Sequence, residues 1–268
     1  MTVLAKTTLD KVLDTPFSAV ISFGDSFSDN GFLGGHGFKR YTNTWTWAEY
    51  LSQMLGLPHD CWAWGGAMSD EGNVAHPPGV SWSGLAWQVR EFTEGLEAGD
   101  DLSRVLFTVS CGSNDYKGGQ RSGAAVAGNI GAAMGVLARA GARHFVYRES
   151  SAVLLAPGYL SGEGVAEAEG WRKMVNDINA ATREVIQGRF VAANPGVRVY
   201  YLKSDPLFER VRGGEPGYGF EIVDKMWNGT AEYPEPHKYL WWDEWHLMGQ
   251  AHLLIALETV GMLKEALK

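Results

Sequence analysis

The sequence predicts an α/β fold in which helices cover both faces of a parallel β-sheet. Short apolar runs alternate with longer segments of helical periodicity along most of the 268 residues. Five of the runs have the length and composition of buried strands, and glycines mark the ends of the first three. Continuous apolar runs are typical of strands buried on both faces, and strand–helix alternation is typical of parallel sheets.

These five apolar runs are the predicted strands. The first ends at Gly24, the second at Gly65-Gly66 and the third at Gly112. Glycine often ends an element because it adopts backbone angles that other residues avoid. In chain order the runs are 17–23, 61–64, 104–112, 143–149 and 197–203.

Five longer segments have the periodicity of helices. Thr44 is predicted to cap the first and Gly56 to end it. The third is rich in glycine, whose missing side chain permits close packing on a sheet. In chain order the segments are 44–56, 83–95, 123–141, 166–189 and 247–267.

The chain is predicted to form a single domain, 1–268, with residues 1–15 as an N-terminal extension. α/β folds often reach this length as one domain, and no linker-like stretch divides the sequence. Hydrophobic residues make up 45% and charged residues 20%, which is typical of a globular protein with a sizeable core.

The charge pattern argues against nucleic acid and anionic membrane surfaces as partners. Lys and Arg total 23 against 31 Asp and Glu, so the formal charge is −8, and the positive residues are scattered. The sequence contains no run of about 18 apolar residues, so no membrane-spanning helix is predicted. The N-terminus carries Asp10 and Asp14 and lacks a signal-peptide pattern, so a cytoplasmic location is expected. A secreted location stays open if a leader has been removed.

Two cysteines, Cys61 and Cys111, are present. They form no CxxC motif and do not have the spacing of metal ligands, so the sequence predicts neither a zinc site nor a disulfide framework. A single bridge between them stays open.

Polar residues follow the first three predicted strands, at the edge where open parallel sheets bind their ligands. Ser26 lies in "FGDSFSDNG", Gly66 in "WAWGGAMSD" and Asn114 in "GSNDY". Near the C-terminus, "DEWH" separates Asp243 from His246 by two residues.

These residue types supply what acyl transfer requires. A serine hydroxyl is a weak nucleophile, so an imidazole must accept its proton and a carboxylate must orient that imidazole. Ser26, His246 and Asp243 are the candidates for those roles. The backbone N–H groups of Ser26 and Gly66 and the side-chain amide of Asn114 are the candidate oxyanion donors.

A simpler interpretation exists for each motif alone. A D-x-x-H arises by chance in about one chain in three. Gly, Asp, Ser and Asn are also the residues that strand-to-helix turns favour. The joint placement at three successive strand ends, with an Asp-His pair before the last helix, favours a catalytic site over turns alone.

The four motifs resemble the four sequence blocks of the SGNH hydrolases, also called GDSL esterases and lipases. The similarity extends through "TWAEYLSQMLGLP", "LARAGARHFVY" and "EPGYGFEIVD" and covers the chain from Phe17 to Leu267. These intervening segments resemble the branch with secreted phospholipases, plant GDSL esterases and carbohydrate acetylesterases. The resemblance implies a three-layer α/β/α fold with a flavodoxin-like sheet of five parallel strands, and neither metal nor cofactor.

The resemblance also implies a role for each matching residue. Ser26 is the nucleophile and first oxyanion donor, Gly66 and Asn114 complete the oxyanion hole, and Asp243 with His246 completes the triad.

Three details of the match concern the pocket. Gly66 is preferred to Gly65 because it directly precedes the small and hydroxyl-bearing residues of its block. Leu247-Met248 follow His246 where the family usually has Pro-Thr, and "RESSAVLLAPG" stands where a Pro-rich segment is usual. These differences flank the predicted pocket and bear on substrate choice, not on the reacting groups.

The predicted function is hydrolysis of carboxylic esters through an acyl-enzyme on Ser26, with a small-molecule ester as the partner. An acyltransferase that uses the same site to acylate an alcohol or amine stays open, because the sequence does not distinguish water from another acceptor. A non-catalytic ester- or carbohydrate-binding protein is a weaker alternative, because the nucleophile and the base are both retained.

Other residues near the motifs have structural or binding interpretations. Asp25 and Asp29 are predicted to organise the loop after the first strand through hydrogen bonds to its backbone. Ser22 and Ser28 have no evident partner in the sequence. Five tryptophans flank the motifs, and some of them are predicted to line an apolar substrate site: Trp62, Trp64, Trp241, Trp242 and Trp245.

Overall fold

A five-stranded parallel sheet forms the centre of the molecule. A computed structural model describes residues 11–31, 35–77, 80–162, 164–215, 217–227, 229 and 235–268. The strand order is β2-β1-β3-β4-β5, and every neighbouring pair is parallel. This is the flavodoxin-like order, so the predicted fold class is confirmed. The strands are β1 (Ala19–Gly24), β2 (His59–Cys61), β3 (Val105–Ser110), β4 (His144–Arg148) and β5 (Arg198–Leu202).

The strand register brings the carboxyl ends of the strands to one edge of the sheet. Gly24, the last residue of β1, lies opposite Ser110, the last residue of β3. Arg148 at the end of β4 lies opposite Leu202 at the end of β5. The loops that follow these strands therefore start beside one another, as the predicted site requires.

Helices cover both faces of the sheet. In chain order they are α1 (Trp47–Leu55), α2 (Leu85–Glu94), α3 (Ser113–Lys117), α4 (Gly123–Arg139), α5 (Gly164–Thr182), α6 (Val191–Ala193), α7 (Asp205–Arg212) and α8 (Gly249–Ala266). A π-helical segment, Arg183–Phe190, joins α5 to α6, and two 3-10 turns lie at Pro157–Tyr159 and Pro236–Lys238.

Two hydrophobic cores lie on the two sides of the sheet. Val20 of β1 packs in the core beneath α1, α7 and α8. Ile21 and Phe23 of the same strand pack in the opposite core beneath α2, α4 and α5. This alternation is the period of two that a strand covered on both faces shows.

The predicted second strand and first helix cap need correction. β2 ends at Cys61, although Trp62 and Trp64 still donate their N–H groups to carbonyls of β1. Thr46, not Thr44, caps α1, because the Glu49 carboxylate accepts the N–H of Thr46 at 2.8 Å while the Thr46 hydroxyl accepts the N–H of Glu49. This reciprocal capping box adds a second bond that Thr44, with Trp47 three residues on, cannot make.

Several elements differ from the predicted pattern. The long helix continues past residue 189 through the π-helical segment to Ala193. A small parallel pair, β6 (Ile222–Met226) and β7 (Tyr239–Trp241), lies in a stretch for which no strand was predicted. Residues 1–10 of the predicted N-terminal extension lie outside the described residues, and 11–15 form neither helix nor strand. None of the described helices has both the length and the apolar character needed to cross a bilayer.

Candidate active site

Ser26, His246 and Asp243 form a continuous chain of hydrogen bonds. Ser26 follows β1, whereas Asp243 and His246 lie between β7 and α8. His246 Nε2 lies 2.9 Å from Ser26 Oγ, and His246 Nδ1 lies 2.8 and 2.9 Å from the two carboxylate oxygens of Asp243. The fold thus brings Ser26 to an Asp-His pair that lies more than two hundred residues later in the sequence.

A tight turn orients Asp243 toward His246. Asp243 Oδ1 accepts the backbone N–H groups of Trp245 and His246, each at 2.8 Å. Burial by itself would raise the pKa of Asp243, but the contacts from His246 and these N–H groups outweigh it and lower the pKa below its usual value. Asp243 is therefore ionised at neutral pH and acts only as an acceptor.

The loop after β1 is held by its two aspartates, as predicted. The Asp25 carboxylate accepts the N–H of Phe27, and Asp29 accepts those of Gly31 and Phe38. Burial raises the pKa of Asp25, against the opposing effects of the Phe27 N–H and of neighbouring positive charge. Asp25 makes no hydrogen bond to His246, so its role in the structure is to shape the loop.

Gly24 has to be a glycine for this loop to leave the sheet. Its φ is +145°, and a Cβ built on it would lie 2.1 Å from the carbonyl oxygen of Ser110. Any larger residue would push β1 away from β3 two residues before Ser26. The glycine thereby sets the position of the serine relative to the sheet.

Gly66 and Asn114 lie beside Ser26 with free N–H groups. Gly65 N–H donates to Asp29 at 2.7 Å, whereas the Gly66 N–H has no acceptor among the described residues. One N–H of the Asn114 amide donates to Ala67 O at 3.1 Å, which leaves the second one available. These bonds favour Gly66 over Gly65 as an oxyanion donor.

Asn73 fixes the glycine loop, and the sequence analysis did not single it out. Its amide donates to Gly65 O at 2.8 Å and to Ser83 Oγ at 2.9 Å. Gly66 has φ +81°, and a Cβ on it would lie 2.4 Å from Asn73 Oδ1. In the sequence, an asparagine a few residues after the Gly-Gly pair is the feature from which this bond to the glycine loop could have been predicted.

A cavity of about 250 Å³ opens beside Ser26 and is lined mainly by apolar side chains. Two of the five predicted tryptophans, Trp241 and Trp245, line it. The other three do not: Trp64 packs against Trp82, Trp62 stacks on His36, and Trp242 stacks on Trp227. The two tryptophans after β2 and Trp242 thus pack against other aromatic rings, while Trp241 and Trp245 contact the cavity.

The comparison with known families decides the class of the protein. The sequence profile of GDSL-like Lipase/Acylhydrolase matches residues 20–259. The chain belongs to this family. The resemblance to this family found in the sequence is therefore confirmed.

One relative of this GDSL family member is a distant one. The thermolabile hemolysin of Vibrio parahaemolyticus serotype O3:K6 (strain RIMD 2210633) is 23% identical over 284 residues, which cover 92% of this chain and 64% of that protein. The chain thus spans less than two thirds of the hemolysin.

Solved structures share the fold of this GDSL hydrolase. A lipolytic protein of the G-D-S-L family from Veillonella parvula DSM 2008 superposes with a TM-score of 0.52 at 14% identity, covering 91% of this chain and 97% of that one. A carbohydrate acetylesterase family member from Sinorhizobium meliloti has the same TM-score and identity, with 92% and 98% covered.

Asp115 of the "GSNDY" motif lies outside the cavity of this hydrolase. Its carboxylate accepts the N–H and the hydroxyl of Ser69, at 2.9 and 2.6 Å, and burial raises its pKa to about 6. The bonds tie the loop after β2 to α3. Asp115 therefore helps to position Gly66 and Asn114 relative to each other.

Ser22 and Ser28 do have partners, contrary to the sequence analysis. Ser22 Oγ lies 2.7 Å from His59 Nε2, and Thr108 donates to it at 2.9 Å. Ser22 is fully buried within the sheet, and burial lowers the pKa of His59 to about 4. Ser28 Oγ accepts the indole N–H of Trp47. Neither serine lines the cavity, so these bonds hold the interior together.

Cys61 and Cys111 are unpaired thiols in the structure, both buried. Their sulfur atoms donate to the carbonyls of Ser28 and Ala67. The described residues contain no group of three or more His, Cys, Asp or Glu placed to hold a metal ion.

Proposed function

We propose that this GDSL hydrolase is a serine esterase that cleaves carboxylic esters through an acyl-enzyme on Ser26. The observation that carries the proposal is the relay from Ser26 Oγ through His246 to Asp243, with no contact longer than 2.9 Å. A serine, an imidazole and a carboxylate in this order are the groups that a nucleophilic acyl transfer requires.

The relay defines the tautomer of His246. Because Nδ1 faces two oxygens of an ionised carboxylate, it carries the hydrogen and donates it to Asp243. Nε2 of the neutral ring is then an acceptor and faces the Ser26 hydroxyl. The geometry suits removal of the serine proton as Ser26 Oγ attacks the ester carbonyl carbon.

That attack leaves a negative charge on the former carbonyl oxygen, and hydrogen-bond donors must lie close to this oxygen to stabilise it. Ser26, Gly66 and Asn114 all line the cavity. Within the part of the chain that the structure describes, the N–H groups of Ser26 and Gly66 and the second N–H of the Asn114 amide have no acceptor. Fixed donors of this kind stabilise the tetrahedral intermediate more than the ester itself.

The second half of the reaction reverses the proton transfer. His246 gives the proton to the leaving alcohol, whose departure leaves the acyl group on Ser26. Water then enters, His246 removes its proton, and attack on the acyl carbonyl releases the acid and restores the serine. No other group needs to change its charge.

Covalent labelling provides the direct test of this proposal. An alkyl fluorophosphonate is expected to add one phosphonyl group per chain with loss of fluoride, because Ser26 is the activated hydroxyl. Peptide mass spectrometry should locate the group on Ser26. Labelling at another residue, or the absence of labelling in folded protein that hydrolyses esters, would contradict the mechanism.

Asn114→Ala is expected to lower kcat by roughly 100- to 1000-fold, because it removes one oxyanion donor while Ser26 and His246 stay in place. The measurement is kcat and KM on a p-nitrophenyl ester, where KM should change little. The matched control is Asn194→Ala, in which the lost amide makes a single hydrogen bond among the described residues, to Phe190 O at a helix end. An equal loss in both variants would contradict the role of Asn114.

A further inference from the structure

Two cationic side chains, Arg148 and Lys117, line the cavity beside Ser26. No aspartate or glutamate is among the described residues that line it. The chain as a whole carries a formal charge of −8, so this positive lining is opposite in sign to the protein. Neither residue has a role predicted from the sequence.

Arg148 is the more deeply buried of the two, with 4% of its surface exposed. Its Nε and Nη2 donate to Ser110 Oγ at 3.1 and 2.8 Å, and its Nη1 donates to Ser204 Oγ at 3.4 Å. Both acceptors are neutral hydroxyls. A guanidinium has five N–H groups, so two of them have no acceptor among the described residues.

Arg148 also lacks a close counter-charge. Within the described part of the chain, no carboxylate lies within 4.0 Å of it. The Asp25 carboxylate interacts electrostatically with Arg148 from a longer distance. This carboxylate accepts the Phe27 N–H, however, and burial disfavours the ionised form of Asp25. Burying an unpaired cation is costly, so the arrangement indicates an anion supplied from outside the chain.

The charge of Arg148 lies close to the reacting serine. Its guanidinium carbon is 5.2 Å from the ring centre of Phe27, the residue directly after Ser26. Buried apolar side chains line the same part of the cavity, among them Leu154 and Phe208. An ester bound at Ser26 would therefore reach Arg148 through a short apolar segment.

Lys117 places a second positive charge in the cavity wall. Its Nζ lies 3.4 Å from the ring centre of Trp245, and no carboxylate lies within 4.0 Å of it among the described residues. Three carboxylates interact electrostatically with the Lys117 ammonium from longer distances: Glu167, Asp243 and Glu244. An ammonium held on an aromatic face keeps its hydrogen-bonding capacity for a ligand.

We propose that this cavity selects esters that carry a negatively charged group, a carboxylate or a phosphate, held by Arg148 with support from Lys117. The inference rests on the proposed esterase function. A guanidinium pairs with carboxylate and phosphate through two parallel N–H bonds, and two N–H groups of Arg148 are free for this purpose.

Binding to the Ser26→Ala protein tests the selection without turnover. Two matched pairs are compared by calorimetry: monoethyl adipate with diethyl adipate, and 1-butanoylglycerol 3-phosphate with 1-butanoylglycerol. At least one anionic member should bind roughly tenfold to a hundredfold more tightly than its neutral partner. The pair that shows the preference identifies carboxylate or phosphate as the charged group. Equal or weaker binding of both anionic members would overturn the proposal.

Variants assign the preference to the two cations. Arg148→Gln and Lys117→Met, each combined with Ser26→Ala, should reduce the anionic preference at least about tenfold, whereas Lys173→Met on the exposed face of α5 should retain it. Arg148→Lys keeps the positive charge. If Arg148→Gln fails to fold, a folded Arg148→Lys protein shows that the position needs a buried cation. A preference that persists undiminished in the Arg148→Gln protein, or in the Lys117→Met protein if Arg148→Gln does not fold, would contradict the assignment.

The unmodified protein separates this inference from the proposed function. Hydrolysis of all four esters with no preference for the anionic members in kcat/KM would overturn the selection and leave the esterase intact. Tight binding of an anionic ester by Ser26→Ala without hydrolysis of any ester by the unmodified chain would overturn the esterase and leave the selection intact.

Discussion

Replacing Ser26 by alanine is expected to lower kcat for a p-nitrophenyl ester by on the order of a million-fold, while the fold is retained. The Ser26 hydroxyl is the nucleophile of the proposed mechanism, and in the described part of the chain its one hydrogen bond is to His246. The oxyanion donors and the cavity would remain, so a small residual rate above that in water is expected. The measurement is kcat under saturating ester, together with the circular dichroism spectrum.

The protein contains a close control for this variant. Ser22→Ala removes the serine of the buried Ser22–His59 pair, whose 2.7 Å contact resembles that of Ser26 with His246. The change leaves His59 and Thr108 without a partner and is expected to cost roughly 1–3 kcal/mol in the free energy of unfolding. Because Ser22 lies away from the cavity, kcat per folded molecule should stay within about twofold. Retained activity in Ser26→Ala would refute the mechanism.

Much of the candidate site follows from sequence because parallel sheets place their strand ends together. Ser26 and Asn114 each lie shortly after a strand whose apolar run is evident in the sequence, so their proximity follows from the sheet order. The contact between Asp243 and His246 follows from their spacing, because a turn of three residues suffices to bring the carboxylate to Nδ1. These features depend on local patterns plus one rule of topology.

The cations of the cavity could not be found in this way. Arg148 directly follows the apolar part of a strand and resembles a solvated charge at a strand end. In the structure it is buried and contacts side chains from distant parts of the chain, namely Phe27, Trp47, Ser110 and Ser204. Lys117 looks like an ordinary basic residue at the end of a short helix. Their lack of carboxylate partners is a property of the assembled structure, which no spacing in the sequence reveals.

The contact between Ser22 and His59 could not be predicted from the sequence either. Ser22 and His59 come from neighbouring strands, and their contact depends on the β1–β2 register, in which Val20 lies opposite His59. A shift of one residue would turn the histidine to the other face of the sheet. The β6–β7 pair was missed because exposed, charged residues interrupt its first strand.

Asp243→Asn is expected to lower kcat by about 10⁴-fold, the size that the equivalent change has in a Ser-His-Asp protease. Asp243 Oδ1 accepts two backbone N–H groups, so the asparagine oxygen must occupy that position. Its NH₂ group then replaces Oδ2, 2.9 Å from His246 Nδ1, so Nδ1 keeps only the neutral amide oxygen at the Oδ1 position, 2.8 Å away, and faces a new donor. A donor at this place favours the tautomer with the hydrogen on Nε2, which cannot accept the proton of Ser26.

The readouts for this variant separate a tautomer effect from a loss of structure. KM should change little, and the rate of fluorophosphonate labelling at Ser26 should fall in step with kcat, because both reactions require an activated hydroxyl. Glu244→Gln is the matched control, since Glu244 is the exposed carboxylate next in the chain and makes no contact with the imidazole. If Asp243→Asn kept more than about a tenth of the activity, the imidazole would not need this carboxylate for its orientation, and the proposed relay would reduce to a Ser26–His246 dyad.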